Sequence, residues 1–369
     1  MERHVFREEE LPALAPRLPG RYFGSKGWNS LEHAGKIQRV ILTGVAQAHS
    51  AAGAILPGFK ALSGLEKCNA PDIMDFCHFY SPQRVQKGFR PDEVLVAVLS
   101  FDGEEDRALN ALRRGAALGC RTILITNRPD GSCGKLAQAV FSLDLPEDWQ
   151  GTELGAYIAN LTALAALAAH IGLGRGHIGP DRAEEVMTAL KGYLRDFMDS
   201  YLAQVDGFMA QQAERMRDLT KFEVVGDWNE GYSAQFVEQQ LICQVGVFCD
   251  HTNSEEFAHI GYFIRSPQTW GMLFLVNGDA PSLSRMRDTL WGCLAQGRPT
   301  VVVSDAPASA FENDKREWDP LRSSIPRPVI CPIPTPPEGW MSPFVDAIPG
   351  ALLARHHGAL NGKGGEDHV

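Results

Sequence analysis

The chain has 369 residues, 44% of them hydrophobic and 22% charged, with a formal net charge of −10. That length and composition suit a globular protein with two well-formed cores. The acidic balance, with no basic stripe to offset it, excludes broad binding to nucleic acid or an anionic membrane.

The predicted elements run as follows. Residues 1–38 are a polar, Gly- and Pro-dotted extension with a short helix over 29–36. An apolar run at 39–44 (RVILTG) reads as a strand, followed by a helix over 46–63, a strand at 94–100 (VLVAVLS), a helix over 104–118, a strand at 122–127 (TILITN) and a short strand at 139–144. Helices over 151–173 and 181–219 connect this unit, 39–150, to a second, 220–335, with strands at 222–227 (FEVVGD), 272–278 (MLFLVNG) and 300–305 (TVVVSD) and a helix over 281–296. The Pro-rich 326–337 reads as a short strand and an extended connector, and a last helix over 343–361 lies within the closing segment 336–369.

The strand pattern occurs twice. Val94 to Thr122 is a step of 28 residues, and so is Met272 to Thr300. The runs are near-continuously apolar rather than alternating, as expected of parallel strands covered on both faces. The helices between them suit right-handed crossovers. Two stacked α/β units, each a mainly parallel sheet flanked by helices, fit this spacing better than one large doubly wound sheet.

Eight cysteines lie apart, with no C-x-x-C pair, which argues against zinc and thioredoxin-like chemistry and for a reduced, cytoplasmic setting. Cys120 and Cys243 read as small core hydrophobes. The charged MERHVFREEE start has no apolar signal core. The apolar stretch 161–174 is too short for a bilayer and reads as a buried helix. No G-x-G-x-x-G follows 39–44 or 222–227, which speaks against a nucleotide-binding Rossmann site.

Four segments carry a resemblance. Ser100-Phe101-Asp102-Gly103-Glu104-Glu105 stands where a Ser-x-Ser-Gly-Glu-Thr loop follows the second strand. Gly151-Thr152-Glu153-Leu154-Gly155 matches Gly-Thr-Glu-Ile-Gly, and Glu255-Glu256-Phe257-Ala258-His259-Ile260 matches Gly-Glu-Leu-Lys-His-Gly. Pro349-Gly350-Ala351-Leu352-Leu353-Ala354-Arg355-His356 matches a closing Pro-Leu-Gln-Leu-Leu-Ala-x-His. In this order, over roughly residues 35–365, the chain resembles the tandem sugar-isomerase (SIS) family. That family includes the isomerase half of glutamine–fructose-6-phosphate aminotransferase, phosphosugar isomerases, deaminases and fructosamine deglycases.

The resemblance implies a sugar-derivative ligand, a homodimer or higher homo-oligomer, and no cofactor or metal. Its phosphate cradle is the loop after the second strand, where hydroxyls and helix N-terminal N–H groups suit a dianion. Ser100 is retained there, but Asp102 and Glu105 replace two hydroxyl residues, with Glu104 and Asp106 adding charge. Carboxylates at this end stabilise the helix by about 0.3–1 kcal/mol each. Each also repels a phosphate at ~4 Å by on the order of 4 kcal/mol at an effective dielectric of 20. A cap role for Asp102 remains the alternative, yet both readings disfavour a phosphate. Thr43, Gly44, Gly103, Glu153 and Asn229 join Ser100, Asp102 and Glu105 as expected ligand-binding residues. Trp228 and Glu230 lie in the same strand-end loop as Asn229, and His49 follows the first strand.

Aldose–ketose interconversion needs one group to move a proton between carbons and another to open the ring. The resemblance assigns ring opening to His259, which reaches a neighbouring subunit's pocket; with the family's own base missing, either Glu256 takes the proton-moving role or that step is lost. The family's upstream Glu is replaced by Cys243, sixteen residues before His259. Glu238, five positions earlier, stands about 140° away round the helix, while Gln239 shares the Cys243 face. Glu255 is a further base candidate, and Lys363 receives no role. The expectation is a sugar isomerase, or a related deglycase or deaminase; the alternative is a non-catalytic sugar-binding protein.

Overall fold

The computed structural model describes residues 11–146, 153–312 and 323–362. The chain divides into two units, Met1–Gly192 and Tyr193–Val369. The expected connector 151–219 is therefore shared between them, the division falling inside the helix Pro180–Asp196.

The first unit holds strands β1 (Arg39–Gly44), β2 (Cys68–Asn69), β3 (Val94–Leu99), β4 (Arg121–Thr126) and β5 (Ala139–Ser142). All pair in parallel in the order β2-β1-β3-β4-β5. The second unit holds β6 (Lys221–Gly226), β7 (Phe248–Thr252), β8 (Gly271–Val276), β9 (Thr300–Ser304) and β10 (Val329–Pro332), again all parallel, in the order β10-β9-β8-β6-β7. Read from its other edge, the second sheet repeats the first strand for strand. The duplicated spacing in the sequence is thus a duplicated topology. β1, β3 and β8 are buried along their whole length, which explains their unbroken apolar runs.

The helices used below are α1 (Gln47–Ala54), α2 (Leu56–Ser63), α3 (Asp106–Ala117), α4 (Glu153–Arg175), α5 (Pro180–Asp196), α6 (Leu202–Arg215), α7 (Glu230–Gln240), α8 (Ser254–Ile260), α9 (Leu283–Ala295) and α10 (Ala347–Leu360). The helix expected over 46–63 is two helices, because Pro57 offers no N–H to continue the first. The helix expected over 29–36 is instead two 3-10 turns, Lys26–Ser30 and Ala34–Lys36, the second preceded by His33 at φ 55°.

Helix α4 corrects another expectation. Its 23 residues are long and apolar enough to cross a membrane, but 94% of that apolar window is buried within the protein. Burial, not shortness, identifies it as a core helix. It packs so closely on α2 that a Cβ on Gly172 would lie 2.1 Å from the Leu62 carbonyl oxygen.

Residues 11–38 of the N-terminal extension also contribute to the core. Trp28 stacks on Phe141 of β5 at 3.7 Å, its Nε1 donates to the Tyr22 carbonyl, and the Tyr22 hydroxyl donates to Leu143 O. Buried Arg39 ties the two-residue edge strand β2 to β1 by donating from Nη2 to Asn69 Oδ1 at 2.9 Å, and its Nε donates to Val85 O at 2.7 Å.

Candidate functional site

In each sheet the chain turns to opposite sides after the first and third strands, which opens a crevice at their C-terminal ends. In the first unit that point lies between β1 and β3. Thr43 is fully buried and its hydroxyl donates to the Pro71 carbonyl at 3.1 Å. Gly44 allows the turn into α1, since a Cβ there would lie 2.7 Å from Ala48 Cβ and 3.1 Å from Leu99 O. Ala46 follows at φ 49°, ψ −124°, a conformation costly to a residue with a side chain. His49 is tied at 3.2 Å to the Ala70 carbonyl.

The loop after β3 is fastened to the loop after β4. Phe101 O accepts from Asn127 N and from the Thr126 hydroxyl, and Gly103 O accepts from Cys133 N. Gly103 has φ +65°, and a Cβ on it would sit 2.7 Å from Arg128 O, so glycine is required. Glu104 Oε1 accepts from the Ser132 N–H at 3.1 Å; bonding from Ser132 holds this carboxyl below its ordinary range.

Asp102 turns onto the loop's own donors. Its Oδ1 accepts from the Glu104 N–H at 2.9 Å and from the buried Ser100 hydroxyl at 3.4 Å. The remainder of the Asp102 side chain is exposed. Glu105 is half-buried; burial pushes its carboxyl up, the Ser100 hydroxyl opposes this, and Asp102 adds to it. The chemistry here is acidic: hydrogen-bond acceptors and partial negative charge at a place where a helix begins. Glu153 lies in the first turn of α4, half-buried. Gly151 and Thr152 of the same motif, and Lys363, fall outside the described residues.

The second unit has the matching crevice between β6 and β8. Gly226 ends β6, and two residues on Trp228 takes φ 56°, as Ala46 does after Gly44. Asp227 is committed to structure: its Oδ1 and Oδ2 accept from the backbone N–H and hydroxyl of Ser254, each at 2.8 Å. Asn229 is 1% exposed, and neither its Oδ1 nor its Nδ2 has a partner. Glu230 is buried at the start of α7, and burial raises its carboxyl to about 8, with the Asp346 charge adding. Asp346 is buried too, raised to about 6 by burial, and its Oδ2 accepts from the Ser342 hydroxyl at 2.9 Å. A carboxyl with its proton held near neutral pH is suited to acid–base work. Glu230 stands in the strand-end loop singled out in the sequence, but nothing in the local pattern announces Ser342 or Asp346 as its partners.

His259 and Glu256 sit on α8, both exposed. His259 Nε2 lies 2.9 Å from Glu255 Oε1, and Arg285 reaches the other oxygen of Glu255. The hydrogen bond from His259 holds the Glu255 carboxyl below its usual range. Asn253 caps the helix, its Oδ1 accepting from the N–H groups of Glu255 and Glu256. The expected catalytic pair is therefore on one short helix, where His259 pairs with Glu255. Glu238 Oε2 is 2.6 Å from His251 Nδ1. With Asp250 they form the group among the described residues able to hold a metal ion, the ligand atoms lying within 4.8 Å of one another. Cys243 is half-buried in a widened helical turn, Leu241–Val245, rather than in the core.

No protein-family model matches the chain. One curated relative, the glutamine–fructose-6-phosphate aminotransferase (isomerizing) of Clostridium perfringens, is 32% identical over 104 residues, 27% of this chain and 16% of the relative. The matched segment is thus a small part of that protein's length. The fold, by contrast, is matched almost end to end. The C-terminal domain of glucosamine-fructose-6-phosphate aminotransferase from Francisella tularensis superposes with a TM-score of 0.79 at 15% identity, covering 96% of this chain and 95% of that one. The tagatose-6-phosphate ketose/aldose isomerase of Escherichia coli gives 0.69 at 13% identity over 96% and 93%. The glucosamine-6-phosphate deaminase of Thermotoga maritima gives 0.65 at 14% identity over 96% and 93%. The resemblance to tandem sugar-isomerase proteins read from the four motifs is a likeness of the whole fold.

Proposed function

We propose that the protein is a sugar-converting enzyme of the sugar-isomerase type, acting on an unphosphorylated sugar derivative by aldose–ketose isomerisation. One observation carries the reading: Asp102 Oδ1 takes the Glu104 N–H and faces the Ser100 hydroxyl. These are the kinds of donor that hold the phosphate in the family the motifs resemble. An internal carboxylate that already engages them competes with an incoming phosphate and repels it. Hydroxyl or amino groups of a ligand, in contrast, find acceptors in Asp102 and Glu105. Thr43, Gly44 and Gly103 shape the floor of this pocket and Glu153 is kept as a ligand-binding residue, while Asn229 is kept as one in the crevice of the second unit.

The sugar ring is opened by His259, and a carboxylate of the same helix, Glu256 or its neighbour Glu255, moves the proton between carbons. His259 acts on the pocket of a second copy, for which its exposure on α8 leaves it available. The isomerases and the deaminase that share the fold support a sugar as substrate. The working form is a homodimer or a larger homo-oligomer in the cytoplasm, and neither cofactor nor metal takes part in this reading.

A second reading, sugar binding without turnover, is favoured by Cys243, which stands where the family places its upstream Glu. Exchange of the sugar C2 proton in deuterated water separates the two. With a panel of neutral, amino, sulfonated and phosphorylated sugars, the enzyme reading expects exchange with a neutral or amino sugar. Binding without exchange of any panel member supports the second reading.

A further inference from the structure

We infer that the second unit carries a ligand site of its own, between the ends of β6 and β8, built for a protonated amine that also bears hydroxyl groups.

Topology supplies the place. The second sheet repeats the first, so its crevice at Gly226 and Val276 is the counterpart of the one at Gly44 and Leu99. Its loop holds Trp228 in a left-handed conformation, and strain of this kind persists where surroundings enforce it, commonly at binding sites.

The side chains supply the chemistry. Asn229 presents a buried donor and a buried acceptor, both without a partner. Tyr193 of α5 is 4% exposed, and its hydroxyl is likewise unpartnered. Buried amide and hydroxyl groups are almost always hydrogen-bonded, so such orphans in one unit call for a ligand group. Glu230 and Asp346 are linked through Ser342, and Asp305 at the end of β9 accepts the Gly278 N–H at 2.6 Å. The charged groups acting on Glu230 and Tyr193 are all acidic: Asp227 from the β6 loop, Asp305 from the β9 loop and Asp346 from the segment before α10. Burial holds the carboxyls of Glu230 and Asp346 above their ordinary values, so each ionises more readily once a cation lies beside it.

An anion is repelled by this set. A divalent metal would use the oxygens but leave Asn229 Nδ2 and the protonated Tyr193 hydroxyl unsatisfied. A hydroxylated amine answers every group: its ammonium donates to the carboxylates, and its hydroxyls bond to Asn229 and Tyr193. This inference does not depend on the reading of the first-unit pocket.

Calorimetric titration of the full chain tests it, with glucosamine, glucose, N-acetylglucosamine and magnesium chloride as probes. A glucosamine-binding event is expected that glucose and N-acetylglucosamine match at least tenfold more weakly. Its affinity rises severalfold from pH 6 to 7 as a proton is released, because binding favours ionised Glu230. Glu230→Gln or Asn229→Ala weakens that event at least tenfold, and Tyr193→Phe weakens it less. Asp102→Ala separates any binding in the first-unit pocket: a glucosamine event lost with Asp102→Ala and kept with the second-unit variants belongs to that pocket and overturns the inference. Should the Glu230 variant fail to fold, proton release by the wild type and the Tyr193→Phe titration still decide. Glucosamine binding that is indifferent to pH and to all three second-unit variants, equal binding of glucose, or magnesium binding in its place overturns the inference.

Discussion

The Ser100 hydroxyl and the Asp102 carboxylate face each other at 3.4 Å across the turn that follows β3, and the Glu104 N–H donates to the same oxygen at 2.9 Å. The turn thereby carries its own anion. The ligand selectivity proposed for the first unit follows from that arrangement.

Replacing Asp102 with Ser returns a hydroxyl to the turn and frees the Glu104 N–H. Removing one charge at ~4 Å relieves on the order of 4 kcal/mol of repulsion at an effective dielectric of 20, less what solvent screens at this exposed side chain. The variant is expected to bind inorganic phosphate or a phosphorylated sugar at least tenfold more tightly than the wild type. Isothermal titration reads the change; unchanged phosphate affinity would show that Asp102 is only a cap.

His259 and Glu256 project from α8 into solvent, so neither supports the core. Exposed substitutions away from packing features change stability by about 0.5 kcal/mol or less. His259→Ala and Glu256→Gln are each expected to abolish turnover and leave the melting temperature nearly unchanged. Comparable losses of stability and activity would assign both side chains a structural role.

Glu230 and Glu223 have carboxyls raised by burial from 4.5 to about 8 and about 7. Between about pH 4.5 and pH 8 the folded chain keeps protons that the unfolded chain has released. Stability therefore falls as pH rises through that window, and is fullest below it on account of these two groups. Glu230→Gln keeps the neutral form at every pH. It is expected to flatten the decline and to stabilise the protein at pH 8 by on the order of 3 kcal/mol. Thermal melts from pH 5 to pH 8.5 check this; parallel curves for the two proteins would contradict it.

Trp28 lies flat on Phe141 and is 1% exposed. Trp28→Ala removes a large buried ring and is expected to cost about 3–5 kcal/mol. A chemical-denaturation midpoint close to that of the wild type would mean that the N-terminal segment is not part of the first unit's cooperative core.

Much of the fold was legible because strands buried on both faces leave unbroken apolar runs, as at Val94–Leu99 and Gly271–Val276. The two strands beside β1 and β6 were not. Cys68–Asn69 is held by Arg39 rather than by its own pattern, and Phe248–Thr252 is a polar edge strand with an exposed Phe. The extension looked polar because its anchors, Leu18, Tyr22 and Trp28, are spaced among Gly, Pro and charged residues. The acidic turn after β3 was readable because all of its residues are adjacent in the chain. The cluster around Glu230 was not, because Tyr193, Ser342 and Asp346 approach it from segments scattered over about 150 residues, and only the fold brings their charges to bear on one another.

The most direct test of the acidic turn is a paired titration of the wild-type protein at low ionic strength with fructose and with fructose 6-phosphate. The account predicts that the phosphate ester binds no more tightly than the free sugar. A phosphate ester bound tenfold or more tightly would show that the Ser100–Glu104 turn still accepts the anion and that Asp102 does not stand in its place.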